Sequence, residues 1–321
     1  MQPSTGIGAD SRSQDVFIEV GGYRLAATLW APPGPGPHPA AVQLHGAGPG
    51  VRSDYIAPVR EAFSRGGLAV LAWDRPGCGE STGDWQRQTL EQRAEEAIAA
   101  VHFLQHHQEV DPARVGLWGQ SQGANVASLV AARSSEAAFV GATSPAGITL
   151  AELQVYGLER WLRAEDTPEE QIRAAIQCVR AIQTANRRGE SYAQLEADVL
   201  GPARREPWGR YLTSPPLPDA ETWEYWRDRD GLPDQDLDPV AIWEHVRCPV
   251  LAVWGERDTV MPVSEVALRT EAALARAGNR DAAVRVFPGA GHGIEIVGNG
   301  EPAPGYLELL VSWARERVGL A

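Results

Sequence analysis

The chain has 321 residues, with 29 basic and 42 acidic side chains and a formal charge of −13. Every basic residue among them is Arg. The absence of Lys excludes Schiff-base chemistry, the P-loop lysine and pyridoxal-phosphate sites, because each of these needs a protein amine. The acidic surplus argues against a nucleic-acid partner, since phosphates are bound through a basic face.

Hydrophobic patterning predicts no membrane partner. The chain contains no apolar run of about 18 residues, and residues 1–14 lack the apolar stretch of a signal peptide. We expect residues 1–14 to be flexible and the protein to be cytoplasmic. The three cysteines are odd in number and far apart, which favours reduced thiols over a disulfide framework.

The first half of the chain alternates strand and helix signals. Residues 15–32 alternate apolar and polar side chains around Gly21-Gly22, which predicts a hairpin. The apolar run AAVQLH (40–45) then predicts a buried strand that ends in a glycine-rich loop. Further strands are predicted at LAVLAW, VGLWG and FVGATSP, with helices over about 53–66, 87–107 and 122–134. This alternation indicates an α/β fold with a mostly parallel central sheet flanked by helices.

The regular alternation stops at residue 148 and returns at about 245. Between these points the sequence shows helical periodicity and no strand pattern, whereas PVLAVWG (249–255) and AAVRVF (282–287) are strand-like again. Helices near 264–277 and 303–318 complete the alternation. We therefore predict a core formed by residues 15–147 and 245–321, with a helical cap, or lid, inserted at 148–244.

The motif GQSQG, from Gly119 to Gly123, follows the predicted strand VGLWG and opens the next helix. This placement is typical of a nucleophile elbow, in which a serine lies on a strained turn between strand and helix. Gly119 and Gly123 then allow backbone and helix to approach closely, and Ser121 is the predicted nucleophile.

A serine nucleophile needs a base and an acid that orients the base. Asp258 follows the strand LAVWG, and His292 follows the strand VRVF in the turn PGAGHG. The chain order Ser, Asp, His is the order found in enzymes whose nucleophilic serine lies on such a strand-to-helix turn. The alternative is that Asp258 caps the following helix and His292 is an ordinary surface residue.

Backbone N–H groups are needed to stabilise the negative charge that develops on the attacked carbonyl oxygen. We place one such donor at Gln122, at the helix N-terminus, and the other at Ala47 in the loop HGAGPG, where Gly46 keeps the backbone open. His45 precedes this loop, and we interpret it as holding the loop's shape.

Together, HGAGPG, DRPGCGES, GQSQG, GERD and PGAGHG resemble the α/β-hydrolase superfamily, in the branch of capped bacterial serine esterases related to dienelactone hydrolases and prolyl-oligopeptidase-type peptidases. The resemblance implies Ser121 as nucleophile, His292 as base and Asp258 as orienting acid. A dienelactone hydrolase has Cys at the nucleophile position, and the haloalkane dehalogenases and epoxide hydrolases of this fold have Asp. The Ser therefore excludes the last two activities. We expect no cofactor and no metal.

The predicted function is hydrolysis of a carboxylic ester, or a related acyl bond, of a small and largely apolar substrate through an acyl-enzyme. Three alternatives stay open. An amidase or peptidase uses the same triad; a lyase, cyclase or acyl-transferring enzyme redirects the intermediate; and a ligand-binding protein keeps the scaffold without catalysis. The expected partner is the small-molecule substrate, and a homodimer is compatible with the sequence.

The predicted cap contains five of the eleven Trp and four of the seven Tyr, but no Phe. Such side chains suit an apolar pocket that orients a ligand, and they equally suit packing between the cap helices. The favoured interpretation is helix packing, for which Trp223 and Trp226 have the spacing. The following run DRDGLPDQDLD (228–238) is interpreted as a solvent loop leading back to the core.

Overall fold

The computed structural model describes residues 12–53, 57–213, 219–229 and 231–320. Most of the N-terminal segment that we expected to be flexible, and Ala321, lie outside the described residues. Residues 12–14 belong to the first strand, which begins at Arg12. The predicted boundary at residue 15 is therefore three residues too late, because Arg12, Ser13 and Gln14 pair in register with Ala31, Trp30 and Leu29 of the second strand.

Eight strands form one sheet in the order β1-β2-β4-β3-β5-β6-β7-β8. The pairs β1·β2 and β2·β4 are antiparallel, and every other pair is parallel. This confirms the predicted fold class. The strands are β1 Arg12–Val20, β2 Tyr23–Ala31, β3 His38–Leu44, β4 Ala69–Trp73, β5 Val110–Gln120, β6 Val140–Thr143, β7 Val250–Gly255 and β8 Ala282–Phe287.

Helices cover both faces of the sheet. The apolar residues of α1 and α11 pack on one face, and those of α2, α3, α9 and α10 pack on the other. This two-sided cover explains why β3, β4 and β7 are buried along their whole length and why β4 and β7 are continuously apolar. The helices are α1 Ala57–Arg65, α2 Leu90–Gln105, α3 Gln122–Arg133, α4 Leu150–Ala164, α5 Glu169–Arg187, α6 Tyr192–Leu195, α7 Gly201–Ala203, α8 Ala220–Arg227, α9 Pro239–Trp243, α10 Val263–Arg276 and α11 Tyr306–Arg317.

The segment between β6 and β7 is helical, with α4 to α9 and no strand among its described residues. A separate apolar cluster joins α4, α5 and α8 and lies entirely between Leu158 and Trp223. By contrast, Val240, Ile242 and Trp243 of α9 belong to the main core. The cap boundary at residue 244 stays a prediction, and the packing of α9 favours placing it before Pro239.

No helix in the described ranges is both long and apolar enough to cross a bilayer.

Gly116 lies so close to the ring of Phe139 that the sheet has no room for a side chain at this position. A Cβ added at Gly116 of β5 would lie 2.2 Å from the ring of Phe139. That ring is fully buried, so it cannot move away without disturbing its neighbours. At Gly157, inside α4, an added Cβ would meet nothing within 4 Å.

We expect Gly116→Ala to lower the free energy of unfolding by about 1–3 kcal/mol, the usual cost of overpacking a core. The matched variant Gly157→Ala should raise it by about 0.5–1 kcal/mol, because alanine loses less backbone entropy in a helix. Urea unfolding followed by circular dichroism measures both. Equal stability of Gly116→Ala and the wild type would contradict the packing described here.

Candidate active site

Ser121 lies at the turn between β5 and α3. Its backbone has φ 55° and ψ −122°, a left-handed conformation that costs a side-chain-bearing residue about 1–3 kcal/mol. The Ser121 N–H donates to the carbonyl of Thr143 at 2.7 Å, which fixes the turn against the end of β6. The strained geometry is that of the nucleophile elbow that GQSQG predicts.

The two glycines of the motif permit this turn. A Cβ at Gly119 would lie 2.2 Å from the Gly123 carbonyl oxygen, and a Cβ at Gly123 would lie 2.3 Å from the Leu44 carbonyl oxygen. These are backbone atoms, so no side-chain movement could relieve the clash. Helix α3 therefore begins in direct contact with the ends of β3 and β5.

The structure brings the side chains of Asp258 and His292 into contact. Asp258 is fully buried in its side chain, and its Oδ2 lies 2.7 Å from Nδ1 of His292, which is partly exposed. The other carboxylate oxygen, Oδ1, accepts the N–H groups of Val260 at 2.7 Å and Met261 at 3.2 Å. These bonds hold the carboxylate in place, and the carboxylate in turn orients the imidazole so that Nε2 is left for other partners.

The turn of Ser121 and the loop of His292 are joined through Ser144. Thr143 accepts the Ser121 N–H, and the next residue, Ser144, donates its hydroxyl to the His292 carbonyl at 2.7 Å. A Cβ at Gly293 would also lie 3.0 Å from Nε2 of Gln120. Within the described residues no hydrogen bond joins Ser121 to His292, and such contacts often tighten only when substrate binds.

Ser121 opens into a cavity of about 100 Å³. Ala47 and Gln122, the two predicted oxyanion donors, line the same cavity. No described residue accepts the N–H of either one. Gly46 is buried beside Ala47, and Gly48, with φ 86°, turns this loop. His45 Nε2 donates to the Trp73 carbonyl at 2.7 Å, a contact that holds this loop against the end of β4.

The sequence analysis missed Arg93, a buried cation on α2. Its guanidinium donates to the side-chain oxygen of Gln122 and, at 2.5 Å, to the carbonyl of His45. Arg93 thus connects the two loops that carry the proposed oxyanion donors. Its sequence position offered a signal, because Arg93 stands three residues after Leu90 on the apolar stripe of an amphipathic helix.

Asp234 was missed as well. The sequence analysis assigned residues 228–238 to a solvent loop, and this is wrong for Asp234, which lines the cavity with Ser121. Burial raises the pKa of its carboxyl group. The neighbouring Gln235 is buried and hydrogen-bonded to Asn186 of α5 at 3.0 Å. Five Asp in eleven residues suggested solvent, but Asp234 accepts the backbone N–H of Leu90 instead.

The aromatic side chains of the inserted segment lie away from this cavity. Its lining contains no aromatic residue among those described. Trp223 is buried in the separate helical cluster, and its Nε1 donates to the Glu190 carbonyl at 2.8 Å. Trp161 and Tyr211 pack edge to face with ring centroids 4.7 Å apart. These contacts favour helix packing over ligand orientation as the role of the Trp and Tyr side chains in the inserted segment.

Comparison with known proteins identifies the family. The model of the alpha/beta hydrolase family matches residues 43–303. The chain therefore belongs to the alpha/beta hydrolase family.

Individual relatives are similar over limited stretches. The chain is 35% identical over 111 residues to the thiohydrolase aneE of Aspergillus aculeatus, covering 34% of each protein. It is 35% identical over 91 residues to the polyketide transferase ATR5 of Stachybotrys chlorohalonatus, covering 28% of this chain and 31% of that one. These matches span about a third of the curated relatives' length. The Pyrococcus furiosus esterase Pf2001 shares the fold, with a TM-score of 0.58 and 17% identity over 95% of this chain and 92% of that one.

The role of Arg93 can be tested by substitution. Arg93→Leu leaves the buried His45 carbonyl without its donor and releases Gln122. We expect kcat for p-nitrophenyl butyrate to fall about 10- to 100-fold with little change in KM. This is less than the factor of about 10²–10³ that loss of an oxyanion donor costs, because Arg93 positions the two donor loops and is not itself a donor. Arg133→Leu, which removes an exposed arginine paired with Glu91, is the matched control and should leave kcat unchanged. A folded Arg93→Leu enzyme with wild-type kcat would contradict this role.

Proposed function

We propose that the protein is a serine hydrolase that cleaves a carboxylic ester of a small, largely apolar substrate. The observation that carries the proposal is the 2.7 Å contact between Asp258 Oδ2 and His292 Nδ1, beside a serine held in the strained elbow conformation. A binding protein on the same scaffold has no need of an oriented imidazole or of a strained serine.

The reaction proceeds through an acyl-enzyme. His292 Nε2 takes the proton of the Ser121 hydroxyl as Oγ forms a bond to the substrate carbonyl carbon. The resulting imidazolium is stabilised by the Asp258 carboxylate, and it then protonates the leaving alcohol as the ester bond breaks. Water then attacks the acyl carbon as it gives a proton to His292, and His292 returns that proton to Ser121 Oγ as the acyl–Oγ bond breaks and the acid leaves.

The negative charge of the tetrahedral intermediate is stabilised by the N–H groups of Ala47 and Gln122. Their lack of another acceptor among the described residues and their shared cavity with Ser121 support this assignment. Gln122 lies in the first turn of α3, where unpaired N–H groups carry a partial positive charge.

Cavity size and lining support a short acyl group. About 100 Å³ is well below the roughly 300–1,000 Å³ of sites that bind drug-sized ligands. Most lining side chains are aliphatic, among them Ile148, Leu153 and Leu237. These three stand near the two ends of the inserted segment, which supports the predicted cap role for that segment.

A second candidate is transfer or hydrolysis of a thioester. It is favoured by the similarity to a thiohydrolase and to a polyketide transferase. The same groups serve both reactions, since only the leaving atom or the acyl acceptor differs. Comparing an S-butyryl thioester with p-nitrophenyl butyrate, with and without an added alcohol acceptor, separates hydrolysis of either bond from transfer.

Replacement of the nucleophile tests the main proposal. Ser121→Ala should reduce p-nitrophenyl butyrate turnover by about 10³-fold or more and abolish labelling by a fluorophosphonate probe. Ser128→Ala, on the same helix, loses a buried hydroxyl whose one hydrogen bond within the described residues is to the Asn125 carbonyl, and it should keep both turnover and labelling. Equal rates of p-nitrophenyl butyrate turnover by Ser121→Ala and the wild type would refute the proposal.

A further inference from the structure

Two polar side chains besides Ser121 and Gln122 line the otherwise aliphatic cavity. They are Asp234, from the segment before α9, and Asn125, from the first turn of α3. A polar group in an apolar site is costly unless it is paired, so each of them implies a partner in the bound state.

Asp234 presents an acceptor. Its Oδ2 accepts the N–H of Leu90 at 2.8 Å, whereas Oδ1 has no hydrogen-bond partner among the described residues. The backbone of Asp234 is left-handed, with φ 61°, and this conformation holds the carboxylate at the cavity. Burial raises the pKa of the carboxyl group, and the nearby Arg93 opposes that shift.

Asn125 presents a donor. Its side-chain oxygen accepts the N–H of Ala146 at 3.0 Å, and a backbone N–H can only donate, so the oxygen must face Ala146. The amide group Nδ2 has no partner among the described residues. The cavity therefore offers one free acceptor, on Asp234, and one free donor, on Asn125.

We propose that this cavity selects a short acyl group that carries a hydroxyl, which donates to Asp234 and accepts from Asn125. The inference rests on the proposed ester hydrolysis at Ser121 and names its substrate class. It assigns to Asp234 and Asn125 the role of specificity determinants rather than catalytic residues.

A hydroxyl fits better than an ammonium group for two reasons. An ammonium ion has no lone pair, so it would leave the Asn125 donor unpaired. It would also have to lose its hydration in an aliphatic cavity close to the positive charge of Arg93. A neutral hydroxyl satisfies both side chains without either cost.

The test compares p-nitrophenyl butyrate, p-nitrophenyl 3-hydroxybutyrate and p-nitrophenyl 3-aminobutyrate. Wild-type kcat/KM should be higher for the hydroxy ester than for the butyrate by about tenfold or more, the effect expected of hydrogen bonds to a charged or buried group. A preference for the amino ester would overturn the assignment to a hydroxyl, and no preference would overturn the role of the two side chains.

Asp234→Asn is the decisive variant. Asparagine tolerates the left-handed backbone and still accepts the Leu90 N–H, but it turns the free acceptor into a donor. The hydroxy-to-butyrate ratio should then fall to within about twofold of one, as the loss of that bond requires. Asp236→Asn, which removes an exposed carboxylate paired with Arg187, is the control and should keep the wild-type ratio.

Asn125→Asp provides an independent check if Asp234→Asn fails to fold. It keeps an oxygen for the Ala146 N–H and removes the donor, so it should also lower the ratio. Fluorophosphonate labelling of Ser121 separates the two proposals. Labelled wild-type enzyme with a hydroxy-to-butyrate ratio near one overturns the specificity alone, whereas unlabelled, inactive wild-type enzyme overturns the hydrolase itself.

Discussion

The contact between α3 and the ends of β3 and β5 is the constraint on which the site depends. It requires a residue without a side chain at both Gly119 and Gly123, because each faces backbone atoms within 2.3 Å of an added Cβ. The strand must then reverse into the helix within two residues, and this forces Ser121 into φ 55°. The same contact brings the first turn of the helix against the loop of Ala47. The positions of the proposed nucleophile and of the proposed oxyanion donors are thus consequences of a single packing requirement.

A network of buried charged side chains on α2 supports the loops that carry Ala47 and Gln122. Arg93 contacts both of them, and Glu96, one turn further along α2, is 2% exposed and accepts the Tyr23 hydroxyl at 2.6 Å. Burial raises the pKa of Glu96, while Tyr23, Gln88 and Arg93 oppose that shift. A planar guanidinium can donate to two acceptors at once, which an ammonium does less well. The exclusive use of Arg in this chain therefore has one structural consequence at the site.

Local patterns were sufficient to predict the sheet and the order of Ser121, Asp258 and His292, because each lies at the end of an apolar strand next to a glycine-rich turn. They were insufficient for Asp234 and Arg93. Asp234 stands in an acidic run whose composition is that of a solvent loop, and only the tertiary packing of α5 and α9 turns it inward. Arg93 is buried because its partners, a carbonyl and a side-chain amide, come from loops distant in sequence.

Different parts of the inserted segment form its own apolar cluster and line the cavity beside Ser121. Trp208, Tyr211 and Trp223 lie in a cluster of the segment's own, where they bury apolar area and hold its helices together. The cavity is lined instead by the ends of the segment, from Ile148 to Leu153 and from Asp234 to Ile242, which continue directly into the core. Short ends anchored to the sheet lose little entropy on binding, so Asp234 on one of these ends and Asn125 on α3 are both held in place for the discrimination among acyl groups that we propose.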